Sequence, residues 1–223
     1  MKVAALYDVH ANVPALEAVL VDVEREGVDT ILFGGDLCWG PEPHEVLALV
    51  RSLPDARFVR GNCDREPDDW MRAELSEGEL AFLEGLPERQ ELDGVLYCHA
   101  TPRSDEEIVT PATSDAEVAA ILEGVENPVV VVGHTHMQQN RQIGPVRWVN
   151  AGSVGLAYEG EPVACWALVD DGEVELHKTP LDVDRVAEAF RRSDWPQAET
   201  YLNENVLASV TREEATAAME ARR

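Results

Sequence analysis

Short apolar runs that stop at a polar, metal-competent residue recur along the chain. Val3 to Tyr7 runs into Asp8, Val9, His10, Ala11 and Asn12, and TILF (30–33) passes through Gly34 and Gly35 into Asp36. ARFVRG (56–61) meets Asn62, Cys63 and Asp64; GVLYC (94–98) meets His99; and PVVVV (128–132) passes Gly133 into His134, Thr135 and His136. Runs of this length, rich in β-branched residues, predict strands buried on both faces. Between them the apolar spacing turns helical. ALEAVLVDVERE has Asn12 as N-cap, Pro14 in its first turn and Gly27 at its end, His44 to Ser52 follows Pro43, and an acidic helix-prone stretch spans Pro67 to Leu86. Strand, polar loop, helix is the order of an α/β sheet, where ligands bind just beyond the carboxyl ends of strands, so these five loops should converge on one edge.

After His136 the pattern changes. Val146 to Gly155, Pro162 to Asp171 and Glu173 to Lys178 read as close-spaced strands of an antiparallel second sheet, with Asp171-Gly172 as a hairpin turn. From Leu181 the period is helical, broken near Pro196 and before Thr211. This tail is Ala- and Glu-rich and shows no chemistry of its own. The reading is one domain over residues 1–223, with a catalytic core to 180 and a helical extension over 181–223.

Composition narrows the function. With 223 residues, 45% apolar and 27% charged, the chain can bury a core, and no apolar run is long enough to span a bilayer. MKVAALYD reads as a first strand rather than a signal peptide, which points to the cytoplasm. Cys38, Cys63, Cys98 and Cys165 lack C-x-x-C spacing, as expected of reduced thiols. A net charge of −25 argues against long nucleic acid or an anionic membrane as partner, while a small phosphoester could be drawn to a pocket made positive by metal ions. A homo-oligomer is left open.

The candidate metal ligands are Asp8, His10, Asp36, Asn62, His99, His134 and His136. Two carboxylates, an amide and four imidazoles suit borderline divalent ions, manganese first, with iron, zinc, cobalt or nickel as alternatives. Seven ligands exceed one ion's needs. Shared between two ions through one bridging carboxylate, for which Asp36 is the candidate, they leave each ion room for water. His134 and His136, one residue apart, can then point to opposite sides of the pocket. Two such ions about 4 Å apart acidify a shared water and clamp the attacking and leaving oxygens of an in-line displacement at phosphorus. The chemistry expected is metal-assisted phosphoester hydrolysis by a bridging hydroxide.

The ordered blocks D-x-H (8–10), G-D (35–36), G-N-x-D (61–64), His99 and G-H-T-H (133–136) resemble those of the calcineurin-like metallophosphoesterases, and N-A-G-S-V-G (150–155) resembles the block that follows. The GNCD form and the opening DVHAN look most like the YfcE-type phosphodiesterase branch. The likeness covers Met1 to about Lys178. It implies a two-sheet β-sandwich flanked by helices, with Asp8, His10, Asp36 and His136 around one metal and Asp36, Asn62, His99 and His134 around the other. Asp36, Asn62, Cys63, Asp64 and His99 are then the residues nearest the chemistry.

Two positions depart from the family pattern. Cys63 stands where many members carry a histidine assigned to protonating the leaving group, and a thiol is a poor replacement. This favours a phosphodiesterase acting on good leaving groups, with a phosphomonoesterase or dinucleoside polyphosphate hydrolase as the alternative and a non-catalytic metal-binding scaffold as the reading from another class. Ala11, where glycine is common, should be tolerated if the local backbone keeps negative φ. Asp64 either orients a metal-bound group or caps a turn. His44 and His177 are not expected to be ligands. Arg60 and Arg103 read as solvated salt bridges, and Trp39 either packs or stacks on a leaving group.

Overall fold

Alternation within each apolar run decides which side chains meet. In the first strand Val3 and Ala5, followed by Tyr7, face a second sheet, while Ala4 and Leu6 face helices. The computed structural model describes all 223 residues. In chain order it contains β1 (Lys2–Leu6), α1 (Val13–Glu26), β2 (Thr30–Phe33), α2 (Pro43–Ser52), β3 (Arg57–Phe58), α3 (Asn62–Arg65), α4 (Asp69–Glu74), α5 (Glu77–Glu84), β4 (Arg89–Leu92) and β5 (Val95–Cys98). Then follow α6 (Asp115–Ile121), β6 (Val129–Val132), β7 (Gln139–Ile143), β8 (Val146–Asn150), β9 (Val163–Asp170), β10 (Glu173–Pro180), α7 (Val183–Arg192), α8 (Ala198–Tyr201), a widened π-type turn (Leu202–Leu207) and α9 (Arg212–Glu220).

The strands form two mixed five-stranded sheets, ordered β10-β9-β1-β2-β3 and β4-β5-β6-β8-β7. Val3, Ala5, Tyr7 and Leu32 of the first pack against Val95, Tyr97, Val129, Val131 and Val149 of the second. The outer face of the first sheet is covered by α1 and α2, through Leu16, Val19, Val46 and Leu47. The outer face of the second is covered by α6, where Val118 and Ile121 meet Val130, Val132 and Trp148. This is the expected two-sheet sandwich flanked by helices.

One expectation is corrected. The three strands after His136 do not form a separate antiparallel sheet: β8 runs parallel to β6 in the second sheet, whereas β9 and β10 complete the first sheet, β9 pairing antiparallel to β1. β9 is apolar on both faces, so it suits the interior of a sheet and not an edge. Asn12 caps α1 by accepting from Ala15 N at 3.2 Å, and Gly27 closes it in the left-handed conformation, φ 62°. The tail packs through Val186, Phe190, Trp195 and Leu202 onto Trp39 and Trp70. No helix is long and apolar enough to cross a membrane, and all four cysteines are free thiols.

Candidate metal centre

The ends of β1 and β2 are laced together by backbone: Asp8 N donates to Gly35 O (3.1 Å), His10 N to Asp36 O (3.0 Å) and Ala11 N to Leu37 O (2.8 Å). To make this exchange the chain enters left-handed conformation at Asp8 (φ 52°), His10 (49°), Ala11 (50°) and Asp36 (52°), and again at His134 (65°) and His136 (57°). Five of these six positions are predicted ligands. Non-glycine residues avoid this region, so the strain is concentrated where the side chains must be aimed. Tolerance of Ala11 was expected on a negative φ that the structure does not have: its N–H is held by Leu37 O in the same lacing, and alanine takes the left-handed conformation there.

Two glycines are required by close approach. A Cβ on Gly133 would lie 2.4 Å from Asp8 Oδ2 and 2.6 Å from Tyr7 Cδ1, and one on Gly35 would meet Gly61 N at 2.5 Å. Gly133 therefore lets two strand ends touch and does not itself take a left-handed turn. Asp64 caps the neighbouring turns. Its carboxylate accepts from Asp36 N (2.8 Å), Gly61 N (2.9 Å) and Leu37 N (3.1 Å), tying the Asp36 loop to the Asn62 loop. Burial and the neighbouring Asp36 push it up to about 6, against the Gly61 and Leu37 N–H groups, which favour its ionised form. The block after β8 acts similarly: Asn150 Nδ2 donates to Gly133 O (2.6 Å) and Ser153 Oγ to Asp8 O (2.8 Å).

All seven candidate ligands come to one edge of the sandwich. Two groups of ligand atoms lie within 4.8 Å of one another, Asp8 with His10 and His136, and Asp8 with Asp36 and His99. Asp8, rather than Asp36, is common to both. Asn62 Oδ1 sits 3.0 Å from His99 Nε2, and the His134 ring lies 5.2 Å from that of His99, whereas His136 lies 4.8 Å from His10. The H-x-H pair does split between two sides.

The donor set fits cations. His10 Nδ1 faces Trp39 O at 3.2 Å and His136 Nδ1 faces Leu156 O at 2.9 Å, so each ring carries its proton on Nδ1 and donates it to a carbonyl. The two Nε2 lone pairs then point at each other across 3.0 Å, with Asp8 Oδ1 3.5 Å from His136 Nε2. Asp8 Oδ1 is buried with no hydrogen-bond partner. Electron-rich atoms facing one another repel, and a divalent ion among them would convert repulsion into ligation. His99 Nδ1 likewise faces Gly34 O at 2.9 Å, leaving Nε2 for the site. Burial, and then the His136 neighbour, lowers His10 to about 4, and burial with His99 does the same to His134. Both are neutral near pH 7, the form that binds metal. Burial alone would raise Asp8, but His136, His99 and His10 hold it well below the usual carboxylate range.

Cys63 N donates to Asp36 Oδ1 at 2.9 Å, and its thiol lies 3.5 Å from Asn62 Nδ2. Burial, reinforced by Asp36, drives that thiol far above its ordinary value, so it stays protonated. Arg60 pairs with Glu88 (3.1 Å) and Arg103 with Glu107 (2.9 Å), the salt bridges expected. His44 pairs with Glu79 and His177 stacks on Trp166, both outside the site. The tail is a correction, because its residues reach the chemistry: Tyr201, Met219 and Arg222, with Leu156 and Tyr158, wall the cleft over His10, Asp36, Asn62 and His136. Nothing in their local sequence pattern marks them. Trp39 packs, its ring against Trp195 and Tyr201, while its edge faces His10 at 5.4 Å.

A calcineurin-like phosphoesterase superfamily model matches residues 1–172. An uncharacterised protein of Methanocaldococcus jannaschii is 26% identical over 87% of this chain and 94% of its own length. Phosphodiesterase YfcE of Escherichia coli K12 is 28% identical over 77% of this chain and 89% of its own. The crystal structure of a metallophosphoesterase from Sphaerobacter thermophilus superposes with a TM-score of 0.79 at 27% identity, covering 94% of this chain and 100% of that one. Fold, ordered ligand blocks and family match agree, and the chain belongs to the calcineurin-like phosphoesterase superfamily.

Proposed function

We propose that the chain is a phosphodiesterase that hydrolyses small phosphodiesters with two divalent cations, manganese foremost. The observation that carries this is the shared position of Asp8 between two Asp/His groups, with the His10 and His136 lone pairs opposed. His10 and His136 with Asp8 would hold one cation; Asp36 and His99, again with Asp8 and with Asn62 and His134 beside them, would hold the other. When bound, such cations acidify water and neutralise charge on the phosphoryl oxygens. The protein's own part is orientation: Cys63 N–H fixes Asp36, Gly34 O fixes His99, and Leu156 O fixes His136.

Hydrolysis adds a water oxygen to phosphorus, breaks one P–O ester bond and leaves an alcohol that must gain a proton. Cys63, a neutral thiol of low acidity, does not supply that proton efficiently, so the leaving alcohol takes it from solvent. This favours substrates whose leaving group departs as a stable anion, such as a phenolate. The 28% identity to YfcE, named a phosphodiesterase, supports the diester over the monoester. Protein stripped of metal and reloaded with manganese is assayed on bis(4-nitrophenyl) phosphate and on 4-nitrophenyl phosphate. The diester should be the better substrate, and failure to turn over either with metal bound would end the proposal.

A further inference from the structure

The wall of the cleft opposite the ligand loops is built by the end of the chain. Beyond residue 172, where the family match stops, α9 is tied to the second sheet's loops at both ends. At its start Arg212 pairs with Glu159 (2.6 Å) and donates to Gln138 O (2.9 Å). At its finish Glu220 accepts from Thr110 Oγ1, while Arg223 pairs with Glu117 (2.9 Å) and Glu220 (3.0 Å). These anchors flank Arg222 on either side in sequence and fix where it stands.

Arg222 itself has no carboxylate or carbonyl partner for its guanidinium, although the chain carries 43 acidic residues against 18 basic ones. Arg212 at the start of α9 and Arg223 just past its end both have carboxylate partners. Arg222 lines the metal cleft, and apart from the histidines it is the only base that does. The rest of that wall, Leu156, Tyr158, Tyr201 and Met219, offers apolar and aromatic surface around a space of about 210 Å³. A planar cation left unpaired beside a phosphoryl site matches the fork geometry by which arginine binds two oxygens of a phosphate.

We propose that Arg222 is a substrate-binding residue, gripping the phosphoryl oxygens of a phosphoester whose compact apolar or aromatic substituent lies against Tyr158, Tyr201 and Met219. This rests on the phosphoesterase reading and adds the recognition of substrate by the C-terminal segment. Anion binding by the metals alone would not need this residue, and the shorter family match does not contain it.

The test uses the full chain loaded with manganese, as wild type, Arg222→Gln and Arg222→Lys. Inorganic phosphate binding is followed by calorimetry, and KM and kcat are measured on bis(4-nitrophenyl) phosphate. Arg222→Gln should weaken phosphate binding and raise KM by about tenfold each, with kcat changed by less than about threefold, since one charge-assisted contact is lost. Arg222→Lys should recover part of both, as it restores charge without the fork. The melting temperature should not move, because the side chain bonds to nothing in the fold. Equal phosphate affinity in wild type and Arg222→Gln, or no phosphate binding by either, overturns the inference. Turnover with an unchanged KM in Arg222→Gln also overturns it and leaves the phosphodiesterase reading standing. Absent turnover in all three proteins, with phosphate binding still weakened in Arg222→Gln, sinks the phosphodiesterase reading and supports the role of Arg222.

Discussion

Substituting Gly133→Ala adds one methyl group where β1 and β6 end side by side. The new Cβ would sit 2.4 Å from Asp8 Oδ2, 2.6 Å from Tyr7 Cδ1 and 2.7 Å from Tyr7 Cβ, where ordinary contact begins at 3.4 Å. Tyr7 cannot retreat, since its ring is buried and its hydroxyl donates to Val131 O at 2.8 Å. Asp8 must therefore move. Its Oδ2 accepts the His134 N–H at 2.8 Å, and that charge-assisted bond is strained or lost. Overpacking contributes about 1–3 kcal/mol and the bond about 1.5–3 kcal/mol, so the loss is about 2.5–6 kcal/mol. For a chain of this size each kcal/mol lowers the melting temperature by about 2–4 °C, giving a drop of roughly 5–24 °C. Gly133 is not in the left-handed region, so the effect is steric and not conformational. Because Asp8 belongs to both ligand groups, affinity for metal at each should fall by at least about tenfold. The control is Gly78→Ala in α5, where a Cβ meets nothing within 4 Å, and helix propensity predicts a gain of about 0.5–1 kcal/mol. Thermal melts and manganese titrations of the two variants decide the matter: Gly133→Ala melting within 2 °C of wild type, by the order-of-magnitude scale above, with metal affinity intact, would refute the steric account.

Further expectations concern the same loops. Asp36→Asn should reduce diester turnover to background while circular dichroism reports an unchanged fold; a variant that keeps wild-type turnover would remove Asp36 from the chemistry. Cys63→His should raise turnover of diesters with poor alkyl leaving groups by about tenfold or more while changing 4-nitrophenyl substrates little, as a general acid helps only where protonation limits. In metal-free protein, His10 and His134 are neutral when folded down to about pH 4 but gain protons near 6.5 when unfolded. The unfolded state then binds more protons between those values, so stability present above pH 6.5 is lost as pH falls toward 4. His99, where Asp36 and Asp8 outweigh burial, works the other way and blunts the slope. Urea melts of chelated protein from pH 7 to 4 measure this, and a flat or inverted profile would contradict it.

The strand ends were legible because each changes abruptly from a short apolar run to a ligand, and that change survives any strand order. Pairing was not legible. β9 is as apolar as β6, and nothing within Val163–Asp170 says that its neighbour is β1, more than 150 residues earlier in sequence, and not β8. The edge strands β4 (RQEL) and β7 (QNRQI) were missed because they are polar, with side chains partly exposed on the rims of the second sheet. Ala11 misled through its identity: alanine carries no hint of left-handed φ, which is imposed by Leu37 across the loop. Arg222 was invisible for a related reason. Its position depends on anchors at Glu117, Thr110 and Glu159, far away in sequence, and not on any motif around it.

Asp8, His10, Asp36 and Asn62 arise from strands of the first sheet, and His99, His134 and His136 from the second. Cations held by both sets would therefore clasp two layers that otherwise adhere mainly through the side chains between them. Loading would stabilise the whole sandwich by RT ln(1 + [M]/Kd) for each site, rising with the logarithm of free metal, and chelation would unfasten it from that rim inward. Resistance to proteolysis at the sandwich edge then becomes a gauge of how much metal the protein carries.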